Sequence, residues 1–176
     1  MVLSRKNEFQ EQAAKVLASL YDSGDEAGIY KLLGEEDAAF RSVPLANFRA
    51  NFLCARLALI AQTWEKSCQD AGLDIADLSK AFLRQVMSAF QSPKMLAPAT
   101  TFSEYFSAPQ IEALDSEATA LAVLIFKHLG QKPTFEGEDK KILIRPAFSK
   151  LVAALESLRT TFENQFFEFL HLRPAH

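Results

Sequence analysis

The stretch "LANFRANFLCARLALIAQTWEKSCQD", residues 45–70, decides the fold of this chain. On a helical wheel with steps of about 100°, its apolar side chains fall on two opposite faces. One face carries Phe48, Phe52, Ala55 and Leu59, and the other carries Leu53, Leu57, Ile60, Trp64 and Cys68. A helix that is apolar on two opposite faces must be covered on both sides. We therefore expect residues 45–70 to form a central, buried helix.

A second buried central helix is predicted over residues 109–129. Ser107 and Gln110 fit a capping box around Pro109, which favours a helix that begins there. The second half of this segment, "ATALAVLIFKHLG", is apolar on nearly every side and ends at Gly130. Such a composition is typical of a buried helix, and a glycine just after the last turn is a common helix end.

The remaining segments also favour helices. Apolar residues recur at helical spacing over residues 3–22 and 74–91, and Pro146 suits the first turn of a last helix over about 146–172. The sequence thus predicts an all-α fold. We expect a compact single-domain bundle of about six to seven helices over residues 1–176, with the two buried helices at its centre.

Two segments lack a clear helical period. Residues 92–108 contain prolines and are expected to form an irregular loop that could act as a hinge. Residues 131–139 are expected to be loop, and the segment "KKILIR" that follows has the composition of a strand. A helix that begins near Asp139 and is kinked at Pro146 is the alternative. The choice between helix and extended chain over residues 138–145 stays open.

The composition is that of an ordinary globular protein, with 49% hydrophobic and 23% charged residues. The net charge of -3 argues against a sequence-independent nucleic-acid binder, which needs a basic face to neutralise phosphates. The longest apolar run, Ala120–Phe126, is far shorter than the roughly 20 residues that span a bilayer. The first twelve residues contain no apolar signal core. We therefore expect a cytoplasmic protein with no membrane partner.

The two cysteines, Cys54 and Cys68, lie in the same predicted helix. At 1.5 Å per residue they are separated by about 21 Å. Because a disulfide needs Cα atoms within about 7 Å, the two thiols cannot pair with each other. Two unpaired cysteines agree with a reducing compartment.

Residues for catalysis, metals or cofactors do not form a complete set. Glu168 and His171 have the Glu-x-x-His spacing of di-iron bundles, but the chain has no second such pair. His128 follows an apolar run and is the candidate for a haem ligand, although a basic residue that stabilises the helix C-terminus is the simpler interpretation. Cys54 and Cys68 have no histidine near them in sequence. We expect no catalytic activity, no metal and no cofactor.

Two arginines form a candidate anion-binding site. Arg49 and Arg56 lie two helical turns apart along one edge of the helix predicted over residues 45–70. An anion or an acidic partner could bridge them. The alternative is that each arginine is partly buried beside a carboxylate of this chain.

The C-terminal helix offers the candidate partner-binding residues. Most of its apolar side chains form one stripe, composed of Leu151, Leu155, Leu158, Phe162, Phe166 and Phe169. Phe167 lies roughly 140° from the centre of this stripe and should be exposed. Leu170 lies at the edge of the stripe, and His171 points further from the core. Phe167, Leu170 and His171 are therefore the predicted contact residues for a partner or a second subunit.

These observations predict a non-catalytic helical protein with an adaptor, regulatory or accessory role. It would act by binding another protein or a second copy of itself. The alternative is a protein that binds an apolar small molecule in a helical pocket lined by some of its 15 phenylalanines.

Overall fold

The computed structural model describes residues 25–72, 99–107 and 116–171, together with Glu11 and Lys15, both of which are helical. These residues form five α-helices, one 3₁₀ helix and a two-stranded antiparallel sheet, so the all-α prediction is confirmed apart from one hairpin. Six to seven helices were expected for the whole chain. The helices predicted over residues 3–22 and 74–91 lie outside the described residues, apart from Glu11 and Lys15.

The elements follow one another along the chain in this order: α1 Glu26–Glu36, the 3₁₀ helix Ala38–Ser42, α2 Leu45–Asp70, α3 Ala99–Ser107, α4 Glu117–His128, β1 Thr134–Glu136, β2 Ile142–Ile144 and α5 Pro146–His171. None of these helices is long and apolar enough to cross a bilayer. Cys54 and Cys68 are both buried, and they are not paired with each other, as their spacing predicted.

Helix α2 has the predicted bounds and is buried on both of its apolar faces. Phe48, Phe52, Ala55 and Leu59 are buried on one face, and Leu57, Ile60, Trp64 and Cys68 are buried on the other. The prediction of a helix covered on both sides is confirmed. Its position follows from the sequence alone because the apolar period extends over seven turns without a break.

Helix α4 is buried as predicted, but it begins later than the sequence suggested. Ser116 has an extended backbone, with φ −156° and ψ 157°, and its hydroxyl accepts a hydrogen bond from the Thr119 amide at 3.1 Å. Ser116 is therefore the N-cap of a new helix, and the prediction of one continuous helix over residues 109–129 is wrong. Residues 109–115 lie outside the described residues.

Helix α3 occupies part of the segment that was expected to be an irregular loop over residues 92–108. The prediction is wrong for Ala99–Ser107, and residues 92–98 lie outside the described residues. Tertiary contacts account for this helix. Tyr105 is fully buried and donates a hydrogen bond to the Asn51 side chain at 2.9 Å. Such contacts are not visible in the local period of the sequence.

Strands β1 and β2 form the hairpin, whose residues pair in the register Thr134↔Ile144, Phe135↔Leu143 and Glu136↔Ile142. The alternative left open for residues 138–145 is thus decided in favour of a turn and an extended strand. The prediction of loop throughout residues 131–139 is wrong, because Thr134–Glu136 supplies the strand with which β2 pairs.

The chain divides into two compact units, each assembled from separate segments. One contains Met1–Gly24, Leu59–Met95 and Arg159–His176, and the other contains Asp25–Ala58 and Leu96–Leu158. In the first unit, the Trp64 ring contacts the rings of Phe166 and Phe169, with centroids 5.1 and 6.1 Å away. The second unit has an aromatic core that includes Phe40, Phe48, Phe52, Phe126 and Phe148. The expectation of a single domain stays a prediction.

Candidate functional site

The hairpin carries most of the exposed apolar side chains of the described residues. Seven large apolar residues are exposed among the described residues, and four of these seven lie in the two short strands of the hairpin. The exposed fractions are 45% for Phe135, 78% for Ile142, 45% for Leu143 and 62% for Ile144. Single apolar residues on a surface are ordinary, whereas adjacent ones often mark a site of contact with another molecule.

Both faces of this hairpin are apolar. Because successive side chains of a strand point to opposite faces, Ile142 and Ile144 share one face with Thr134 and Glu136. Phe135 and Leu143 are directly opposite each other on the other face. The two most exposed side chains are therefore neighbours on the same face of β2.

Arg145 ties both ends of the hairpin to the body of its unit. Its Nε donates to Asp37 Oδ2 at 2.8 Å, and its Nη1 donates to Gln131 Oε1 at 2.7 Å and to the Lys132 carbonyl at 3.3 Å. The guanidinium carbon lies 5.5 Å from the centroid of the Phe126 ring, within the range of a cation–π contact. Arg145, the residue directly after β2, thus also contacts the two residues Gln131 and Lys132 that precede β1.

Asp37 is the counter-charge of this anchor. The side chains of Arg145 and Asp37 are only 10% and 9% exposed. Asp37 also accepts a hydrogen bond from the Ala39 amide at 3.1 Å and so caps the 3₁₀ helix. The hydrogen bond from Arg145 holds the pKa of the Asp37 carboxyl below its ordinary value, so this carboxyl is ionised at neutral pH.

The turn of the hairpin is closed by backbone hydrogen bonds. The Gly137 amide donates to the Lys141 carbonyl at 2.9 Å, and the Lys140 amide donates to the Gly137 carbonyl at 3.0 Å. Lys140 has a φ of 57°, in the left-handed region. A Cβ atom at Gly137 would lie 2.9 Å from Leu143 Cδ1, so a larger residue would displace an apolar side chain of the hairpin.

The residues predicted from the C-terminal helix lie together on α5. Phe167 is 60% exposed, which confirms the position expected from the helical wheel. The His171 ring stacks on the Phe167 ring with centroids 4.0 Å apart, and His171 Nδ1 donates to the Phe167 carbonyl at 2.9 Å. A role of Phe167, Leu170 and His171 in binding a partner stays a prediction.

The same three residues line a surface pocket of about 280 Å³. The other lining residues are Lys66, Ser67, Asp70, Glu163 and Asn164. Phe167 is the single phenylalanine of this lining, and four of the side chains can carry a charge. The pocket therefore differs from the phenylalanine-lined interior that an apolar ligand would need, and the apolar-ligand alternative stays a prediction.

The two arginines proposed to bind an anion have different surroundings. Arg56 is 3% exposed, and its Nη1 donates to Glu26 Oε1 at 2.7 Å. Arg49 is exposed. An anion shared by Arg49 and Arg56 would have to compete with the Glu26 carboxylate, and its binding stays a prediction.

Neither cysteine has the environment of a nucleophile. Burial raises the pKa of the Cys54 thiol to about 12 and that of the Cys68 thiol to about 11, with the Glu65 carboxylate adding to the shift at Cys68. Both thiols are therefore protonated at neutral pH, and only the thiolate is a strong nucleophile.

His128 Nε2 lies 3.1 Å from Glu104 Oε2, so this histidine contacts a carboxylate.

Metal ligands do not converge in the part of the chain that the structure describes, where no three His, Cys, Asp or Glu side chains could hold one ion.

The hairpin was not predicted as a pair of strands, although its signals are present in the sequence. Thr134 and Phe135 have strand propensity, and Gly137 marks a turn before the strand-like "KKILIR".

Comparison of the chain with known protein families, curated proteins and solved structures gave no match.

Proposed function

We propose that this protein is a non-catalytic binding protein and that the hairpin of residues 134–144 is its contact surface for another protein. The observation that carries the proposal is the exposure of Phe135, Ile142, Leu143 and Ile144 on adjacent positions of one hairpin. Fully burying an exposed large apolar side chain is worth about 1.5–3 kcal/mol. These four side chains remain 45–78% exposed, so a corresponding part of this gain is available for an association.

The anchor at Arg145 supports the same proposal. An isolated two-stranded hairpin is only marginally stable in water. Here the ion pair with Asp37 and the hydrogen bonds to Gln131 and Lys132 hold the hairpin in place before any partner arrives. A surface that is already ordered loses less conformational entropy on binding, so more of the contact energy appears as affinity.

A second contact at Phe167, Leu170 and His171 is part of the proposal, with a smaller role. Phe167 is the single large apolar residue that is strongly exposed there, and its stacked neighbour His171 is polar. Phe167→Ala should therefore weaken an association less than changes in the hairpin.

A photo-crosslinking experiment tests the proposed surface. Benzoylphenylalanine placed at Phe135 should give a discrete crosslinked species of higher mass when the protein is irradiated in the cells that produce it. The same group at Lys150, an exposed polar position on α5, should not. Denaturing gel electrophoresis followed by mass spectrometry would identify the species.

The double variant Ile142→Thr/Ile144→Thr removes apolar area from the proposed surface. Because threonine keeps the β-branched shape, the free energy of unfolding should change by no more than about 0.5 kcal/mol per site. The crosslink from Phe135 should disappear in this variant. A crosslink of equal yield from Lys150, or one from Phe135 that survives the double substitution, would contradict the proposed function.

A further inference from the structure

The backbone of β2 has hydrogen-bonding groups that face away from β1. Two bonds mark the ends of the ladder, from the Arg145 amide to the Pro133 carbonyl and from the Gly137 amide to the Lys141 carbonyl, each 2.9 Å long. In an antiparallel pair, every second residue pair exchanges hydrogen bonds. Ile142 and Ile144 belong to the pairs that do not. Their N–H and C=O groups therefore point to the outer edge, where the described part of the chain supplies no third strand.

The edge of β2 is better suited to a new strand than the edge of β1. On β1 the outward backbone groups belong to Thr134 and Glu136, whose side chains are polar and, at Glu136, negatively charged. On β2 the outward backbone groups belong to Ile142 and Ile144, the two most exposed apolar side chains of the hairpin. An extended segment beside β2 would gain backbone hydrogen bonds and apolar contacts from the same two residues.

The charged residue next to this edge is Lys141, which directly precedes β2 and is exposed. Lys140 comes before it, and the acidic Glu138 and Asp139 lie farther from β2 along the turn. Strands in a sheet are about 4.8 Å apart, so a segment added beside β2 would lie roughly 10 Å from Glu136 on β1. This distance exceeds the screening length of about 8 Å at physiological ionic strength. A partner segment with acidic residues would therefore be attracted at the end of the strand that adjoins Lys141.

A second copy of this chain fits the same edge poorly. Antiparallel pairing of β2 with itself, centred on Leu143, would place Lys141 opposite Arg145 of the other copy, which is already paired with Asp37, so no free carboxylate would face Lys141. The strand has only three residues, so it is about 10 Å long. Stable interfaces bury about 1,200–2,000 Å², which a contact of this length cannot supply by itself.

We propose that the partner's contact segment is an extended strand of a different protein, which pairs with the outer edge of β2 and has acidic residues beside apolar ones. This inference rests on the proposed function and names the kind of segment that the hairpin binds. The short strand implies a weak and reversible association, of the kind found for contacts smaller than the standard interface.

Synthetic peptides test the inference without knowledge of the natural partner. We would titrate the protein with acetyl-DTVTVTD-amide and with acetyl-KTVTVTK-amide, and follow the backbone amide resonances of the hairpin by NMR. The acidic peptide should shift the amides of Ile142 and Ile144 and should bind about fivefold tighter than the basic one, as expected for one or two exposed ion pairs. Its affinity should fall as salt is added.

Two further probes separate backbone pairing from charge. The acidic peptide with alternate N-methylated amides cannot donate its hydrogen bonds to one edge, and it should not shift the hairpin amides. Lys141→Glu should remove the preference for the acidic peptide, whereas Lys150→Glu, which changes an exposed lysine on α5, should keep it. Melting temperatures of both variants would show that they are folded.

Each outcome has a defined meaning. If neither peptide shifts the amides of Ile142 and Ile144, strand addition is overturned, while a crosslink from Phe135 would still support the proposed function. Equal affinity for the two peptides overturns the acidic preference. A dimer detected by light scattering that disappears in the Ile142→Thr/Ile144→Thr variant would make a second copy the occupant and overturn the inference.

Discussion

Replacing Asp37 by alanine should lower the free energy of unfolding by about 3–5 kcal/mol. The substitution leaves the Arg145 guanidinium, which is only 10% exposed, without its counter-charge. The remaining acceptors, Gln131 Oε1 and the Lys132 carbonyl, are neutral and cannot replace a carboxylate. Urea denaturation followed by circular dichroism would measure the change.

Two variants control for this prediction. Asp139→Ala removes an exposed acidic residue of the hairpin turn and should change stability by less than about 0.5 kcal/mol. In Asp37→Ala/Arg145→Met, no buried charge is left without a partner, so part of the lost stability should return. A cost below about 1 kcal/mol for Asp37→Ala would mean that the ion pair is not the anchor of the hairpin.

The same carboxylate gives the effect a pH dependence with a defined sign. The hydrogen bond from Arg145 lowers the pKa of Asp37 from its ordinary value of 3.8. A carboxyl with a lower pKa in the folded state adds stability above its unfolded pKa and loses this stability as the pH falls through the folded value. The difference in stability between the wild type and Asp37→Ala should therefore be constant near neutral pH and shrink below about pH 4.

Phe126→Ala should also cost about 3–5 kcal/mol, because it leaves a cavity in the core of its unit. The Phe126 ring is fully buried and contacts the rings of Phe40 and Phe148, with centroids 5.8 and 5.2 Å away. The substitution also removes the aromatic face below the guanidinium of Arg145. Thermal unfolding and urea denaturation would both detect a change of this size.

Phe135→Ala is the matched comparison, since it removes the same ring from a surface. Phe135 is half-exposed in the hairpin, so its loss should cost about 1 kcal/mol or less. Binding of the partner should be affected in the opposite order, with Phe135→Ala weakening it more than Phe126→Ala. Equal destabilisation by both changes would contradict the view that the hairpin is a surface rather than part of the core.

The sequence predicts long helices well and short elements poorly. Helix α2 has the bounds expected from its two apolar faces, because an apolar period repeated over many turns leaves little choice of structure. Strands β1 and β2 have three residues each, which is barely more than one period of a strand. Their pairing also joins segments that the local sequence does not relate. The start of α4 was misplaced since Ser107 and Ser116 both resemble an N-cap.

The candidate site residues also differ in how well the sequence predicts them, since local features can be predicted and tertiary contacts cannot. The exposure of Phe167 follows from its angle on one helix, and the structure confirms it. The partner of Arg56 could not be predicted, because Glu26 lies in another helix 30 residues away. The role of Arg145 could not be predicted either, because its contacts with Asp37 and the ring of Phe126 depend on the folded core.

The ion pair between Asp37 and Arg145 has a consequence for the order of events during synthesis. It joins residues 108 positions apart, and the chain leaves the ribosome from its N-terminal end. Asp37 is therefore made long before the strands that it helps to hold. Strand β2 and Arg145 emerge together, so the apolar strand meets its anchor soon after it appears. Under the proposed function, the hairpin would become able to bind only after these distant segments have met, and an engaged partner would report that this unit of the chain has folded.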